Sequence, residues 1–194
     1  MINIWKPKIK VLEGLNFEYG ELTLDYKYMS LDYKYIKFIE VERGLRIAIG
    51  SDHGGFHLKK AIKEYLDKEN IVYEDFGTYN SESVDYPDYA EKVAIAVASG
   101  EYDKGILCCG TGIGVSIVAN KIPGIRAALC NDTFSARAAR EHNDANILTL
   151  GERVIGPGLA IDIVSTWLKA EFSGGRHARR VEKITAIEKR QLNK

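Results

Sequence analysis

Cys109 stands immediately before three glycines at alternate positions, CGTGIG over 109–114. Gly110, Gly112 and Gly114 allow a tight turn that points successive N–H groups at one place, in front of a helical stretch that begins near Gly112. Such a turn suits a phosphate, or an oxyanion that develops during a reaction. The spacing is not the G-x-G-x-x-G of dinucleotide sites, and the P-loop lysine is missing. The plain alternative is a tight strand-to-helix turn with no ligand. Thiols at helix N-termini hold a larger thiolate fraction at neutral pH, which makes Cys109 a candidate base or nucleophile. Cys108 faces the other side of its strand, and Cys130 has no such loop, so both read as inert core residues.

Asp52 and His53 in SDHGG offer a carboxylate and a histidine able to orient a hydroxyl and move a proton. The competing reading is a turn in which Asp52 caps the next helix. His142, in REHNDAN, is expected near the same edge, although a helix-terminal histidine answering the dipole is ordinary. Arg176 and Arg180 lie one helical turn apart in GGRHARRV and could grip a phosphate, while Arg179 points elsewhere. A solvated basic face is the usual meaning of such a run. No metal-ligand spacing is present: Cys108 and Cys109 are adjacent, and the four histidines sit singly.

These residues need a scaffold, and the pattern from Leu45 onward supplies one. Short apolar runs at 46–50, 71–77, 104–109, 125–130 and 146–151 read as strands. Helical periodicity at 55–69, 86–99, 112–121, 132–141 and 158–170 separates them, and a charged helix follows Gly174–Gly175. Alternation of this kind predicts an α/β fold, a Rossmann-like three-layer sandwich with a five-stranded parallel sheet in the order 2-1-3-4-5 plus a C-terminal helix. In such sheets ligands sit at the carboxyl ends of the strands, where the winding reverses. Asp52, His53, Cys109 and Arg153 each follow a strand and meet that positional test.

Bulk properties remove several classes of function. The 194 residues are 45% hydrophobic and 28% charged, enough for one domain with a substantial core. Basic and acidic residues number 27 each, so no basic surface invites nucleic acid. No apolar run matches a membrane span or a signal core. An odd count of three cysteines fits a reducing cytoplasm better than a disulfide framework. Segment 1–44 differs from the rest: it is rich in tyrosine and lysine and nearly repeats LDYKY. It is expected to be a leader, dispensable or an upstream reading-frame addition, with residue 45 the effective start. A genuine strand-forming arm is the rival reading.

In combination, GSDHGG, ESVDYPDYA, CGTGIGVSIVANK, GIRAA, REHNDANIL, LGERV and GGRH resemble the ribose-5-phosphate isomerase B family, which includes galactose-6-phosphate isomerase subunits. The resemblance covers about Leu45 to Arg190. It implies an aldose–ketose isomerase of the pentose phosphate pathway, working through a cis-enediolate with Cys109 as base. It also implies that Gly110, Gly112, Ile113 and Gly114 hold the enediolate, and that Thr111 and His142 assist ring opening. Asn143, Asp52, His53 and Tyr86 would bind the sugar, and Arg153, Arg176 and Arg180 with His177 the phosphate. No cofactor or metal is implied, and homodimers or homotetramers with shared sites are. A branch of the family uses glutamate as base at the position of Ser116, which favours the thiol here. Two alternatives stand beside this: a six-carbon substrate such as galactose or allose 6-phosphate, and a sugar-phosphate sensor without catalysis.

Overall fold

The structure, a computed structural model, describes residues 44–193; the expectation for the leader 1–44 therefore lies, but for Gly44, outside the described residues. Residues 45–194 form one compact unit. Its strands are β1 (Arg46–Ser51), β2 (Val72–Asp75), β3 (Lys104–Cys109), β4 (Ala127–Leu129) and β5 (Ile147–Gly151). Helices α1 (Phe56–Lys68), α2 (Tyr86–Ala98), α3 (Ile113–Ala119), α4 (Thr133–Asn143), α5 (Pro157–Lys169) and α6 (Arg176–Leu192) alternate with and follow them. All pairings are parallel, in keeping with the buried runs of β1, β3 and β5.

The strand order is β2-β1-β3-β5-β4, which corrects the expected 2-1-3-4-5 at its right-hand end. Burial explains the exchange. Every residue of β5, ILTLG, is buried, whereas the three residues of β4, Ala-Ala-Leu, are only half-buried. The more apolar strand takes the interior position, and the short one becomes an edge. The chain thus crosses from β3 to β4 over α3 and returns to β5 under α4. With right-handed crossovers, α2 and α3 cover one face while α1, α4 and α5 cover the other.

Two apolar layers result. On one face Leu58, Ile62 and Leu66 of α1 and Ile163, Val164 and Trp167 of α5 pack on Ile47, Ile49, Ile106 and Leu148. On the other, Ala90, Val93 and Val97 of α2 and Val115 of α3 pack on Ala48, Leu107 and Ile147. Spacings of three and four residues put each helical set on one stripe. Helix α6 differs: only His177 is buried, and Ile184, Ile187 and Leu192 stay exposed.

Candidate active site

Winding reverses between β1 and β3, and the crevice at their carboxyl ends is where this fold gathers function. Backbone hydrogen bonds Ser51 N–H to Gly77 O and Thr78 N–H to Ser51 O, both 2.6 Å, pin the end of β1. Asp52 follows it with 8% exposure. Its side chain caps no helix, and its Oδ1 is buried without a hydrogen-bond partner among the described residues. Burial pushes the Asp52 carboxyl above its ordinary range, against the pull of His53, of the Gly54 and Gly55 backbone N–H groups and of Arg153. Nδ1 of His53 accepts the Val84 N–H at 3.1 Å, so a neutral ring carries its proton on Nε2 and presents a donor outward.

Cys109 ends β3, 5% exposed, and its Sγ accepts the Gly112 N–H at 3.0 Å. That bond needs Gly112 at φ 76°, where a Cβ would lie 2.9 Å from the Leu150 carbonyl carbon. The Gly112 amide is thus engaged by the sulfur. Thr111 Oγ1 accepts the Ile113 N–H at 3.3 Å, and the α3 ladder begins with Ser116 N–H to Gly112 O. The N–H groups of Gly114 and Val115 precede that ladder. Tyr86, first residue of α2, lies over the loop, its ring 2.8 Å from where a Gly114 Cβ would sit. Glu152 N–H to Cys109 O and Arg153 N–H to Gly110 O, at 2.9 and 3.0 Å, tie the end of β5 to the same loop. The Arg153 side chain lies against Gly110. Burial pushes the other two thiols up, Cys130 to about 11 and Cys108 further, as expected of core sulfurs.

The remaining residues assemble elsewhere. Helix α4 starts beyond the carboxyl end of β4 and runs back toward the amino end of β5. His142 and Asn143 therefore sit at the amino edge of the sheet, which corrects the expectation that His142 lies near the loop edge. An antiparallel return over 11 residues carries them about 16 Å away. Helix α5 makes the same return and delivers Arg176, His177 and Arg180 to the same end. The His142 and His177 rings stack with centroids 4.3 Å apart, and Arg176 Nε donates to His177 Nε2 at 3.3 Å. Desolvation, then the charges of His142, Arg176 and Arg180, hold the His177 imidazole below its usual value. Thr111 and His142 lie at opposite edges, and Arg153 is apart from Arg176 and Arg180.

Supporting residues escaped the sequence reading. Lys59, 1% exposed, donates to Asp75 Oδ1 and to the Thr78 carbonyl, both at 2.6 Å, and so braces the segment that pins β1. Lys63 takes Asp75 Oδ2 at 2.6 Å. Burial, mainly, lowers the Lys59 pKa, while the two lysines hold Asp75 below its ordinary value despite its own burial. The signal was a lysine beside the apolar stripe of α1, facing an aspartate at the end of a strand. Glu152 Oε2 accepts the Leu58 N–H at 2.8 Å and fixes Arg153's loop to α1.

Among the described residues no group of His, Cys, Asp and Glu could hold a metal, and no helix is long and apolar enough to cross a membrane. The family model described as Ribose/Galactose Isomerase matches residues 47–184. The structure of Clostridium thermocellum ribose-5-phosphate isomerase B is similar, with TM-score 0.75 and 63% identity over 76% of this chain and 99% of that one. Escherichia coli ribose-5-phosphate isomerase B is 54% identical over 146 residues, 75% of this chain and 98% of the relative. The D-erythrulose-4-phosphate isomerase of Pectobacterium atrosepticum is 50% identical over 142 residues, 72% and 93% of the respective chains. The folded unit, its loop at the switch point and these matches agree: the chain is an isomerase and belongs to the ribose/galactose isomerase family.

Proposed function

We propose that this enzyme interconverts ribose 5-phosphate and ribulose 5-phosphate in the cytoplasm, within the pentose phosphate pathway, with the Cys109 thiolate as base. The observation that carries the reading is the Cys109 sulfur held by the Gly112 N–H in a nearly closed loop beside Asp52. Relatives named for ribose 5-phosphate support the five-carbon substrate.

Ring opening moves one proton overall from O1 to the ring oxygen: His142 donates to the ring oxygen, and the O1 proton passes over the Thr111 hydroxyl and back to His142. Asp52 and His53, with Tyr86, orient the sugar hydroxyls. Sγ of Cys109 then takes the proton from C2, and the electron pair forms the C1–C2 double bond of the enediolate, with negative charge on O1. Loop amides at Gly114 and Val115 face that charge. A proton moves from O2 to O1, and the thiol returns its own to C1, leaving the ketose and the thiolate.

The separation of the two residue groups fits a site shared between two copies of this chain. In this arrangement Cys109, Thr111 and Asp52 come from one copy, and His142, Asn143, Arg176, His177 and Arg180 from the other. Exposed Ile95 on α2, Ile113 and Ile117 on α3, and Ile184, Ile187 and Leu192 on α6 offer apolar surface for that contact. Assay of kcat/KM on ribose 5-phosphate, erythrose 4-phosphate, galactose 6-phosphate and allose 6-phosphate tests the substrate. A preference for ribose 5-phosphate of about tenfold or more is expected, since one carbon is worth roughly 1–3 kcal/mol to a pocket. A hexose or tetrose phosphate turned over best would overturn the five-carbon assignment.

A further inference from the structure

We propose that Arg126 and Asp144 are positioning residues, a clamp that fixes the last turn of α4 so that His142 and Asn143 are presented in one orientation. This rests on the reading above of His142 and Asn143 as half of a shared site. Helix α4 stops at Asp144, which adopts the left-handed conformation at φ 47°, ψ 45°. Glycine or asparagine usually fills such a stop, because a side chain there is strained. Aspartate is tolerated here because its carboxylate is fully used. Arg140 Nη1 donates to Oδ1 at 2.8 Å and Arg126 Nη2 to Oδ2 at 2.9 Å.

Arg126 does more than pair a charge. Its Nε donates to the carbonyls of both Asn143 and Asp144 at 3.0 Å, and Nη2 reaches the Asp144 carbonyl at 2.8 Å. These carbonyls belong to the end of a helix, where no backbone donor remains for them. A planar guanidinium can take the carboxylate and the carbonyls at once, whereas a lysine cannot. The arginine is itself seated: its N–H donates to Asn146 Oδ1 at 2.8 Å, and Asn146 Nδ2 donates to Gly124 O at 2.9 Å. Arg140 Nη1 adds the Ala145 carbonyl at 2.8 Å. All the bonds from the Arg126 guanidinium fall on the two residues after His142, and none touches the imidazole, so the clamp acts through the backbone.

Asp144→Gly separates the two roles of this position, because glycine satisfies the left-handed turn while removing the carboxylate. Arg126→Lys keeps the charge and loses the fork. Both variants, assayed with ribose 5-phosphate, are expected to lose kcat on the order of tenfold to a hundredfold, the cost of a misplacement near 1 Å, while thermal unfolding remains cooperative. In a chain already carrying His142→Asn and Asn143→Ala, adding Asp144→Gly should change the residual turnover by less than about twofold. Full kcat in Asp144→Gly would overturn the clamp, as would a loss that carries unchanged into the doubly substituted background. Full turnover by His142→Asn and Asn143→Ala together would instead overturn the site reading beneath the clamp, and the clamp with it.

Discussion

Mixing two inactive variants should restore activity, because each carries the half of the site that the other lacks. One variant carries Cys109→Ala; the other carries His142→Asn and Arg176→Ala. The magnitude follows from the fold. Cys109 closes the carboxyl end of β3 and His142 closes the return helix α4, whose 11 residues span about 16 Å. Reacting groups must approach within about 3–3.5 Å of their atoms, so the two cannot serve one substrate within a chain. In the proposed two-fold dimer with shared sites, each site would take one half from either copy. Equal mixing with free exchange makes half the dimers heterodimers, each with one intact and one doubly damaged site. The mixture should therefore recover about a quarter of wild-type specific activity, from two parents that each show almost none. The assay is ribulose 5-phosphate formation after co-refolding or co-expression, with differently tagged chains to count heterodimers. Activity equal to the mean of the two parents, with heterodimers present, would refute a shared site.

Other consequences follow from burial and charge. Burial raises the folded-state pKa of Asp52 above its unfolded value, so its ionised form costs stability at neutral pH, and that cost fades as pH falls through the folded pKa. Asp52→Asn should therefore raise the unfolding midpoint at pH 7, gain less in mildly acidic buffer, and lower kcat/KM; a lower midpoint at pH 7 would contradict this. Asp75→Asn leaves Lys59, 1% exposed, without its counter-charge, and chemical denaturation should show a loss of about 3–5 kcal/mol. A change under 1 kcal/mol would mean that the strut carries no weight. Removal of residues 1–44 should leave the unfolding midpoint and turnover unchanged, because the unit from Leu45 onward holds both apolar layers; loss of either would give the segment a structural role.

The loop at 109–114 was legible because glycine at alternate positions has few uses after a buried strand, and Asp52 and Arg153 were legible by their place after other strands. The strand order at the right-hand end was not. It depends on whether Ala-Ala-Leu or Ile-Leu-Thr-Leu-Gly lies inside, a comparison of burial between strands that each look plausible alone. The separation of His142 from Cys109 was within reach, since a helix between parallel strands must return to the amino edge. Proximity in the motif order concealed it. Arg126 and Lys59 gave weaker signals: an arginine before a short strand and a lysine beside an apolar stripe usually mean solvent.

Isotope washout at C2 tests the central chemistry most directly. With ribose 5-phosphate deuterated at C2, the wild-type enzyme should move deuterium from C2 to C1 or release it to water as ribulose 5-phosphate forms. Cys109→Ala should bind the sugar phosphate yet show neither transfer nor release. Deuterium leaving C2 at the wild-type rate in that variant would contradict the sulfur as base.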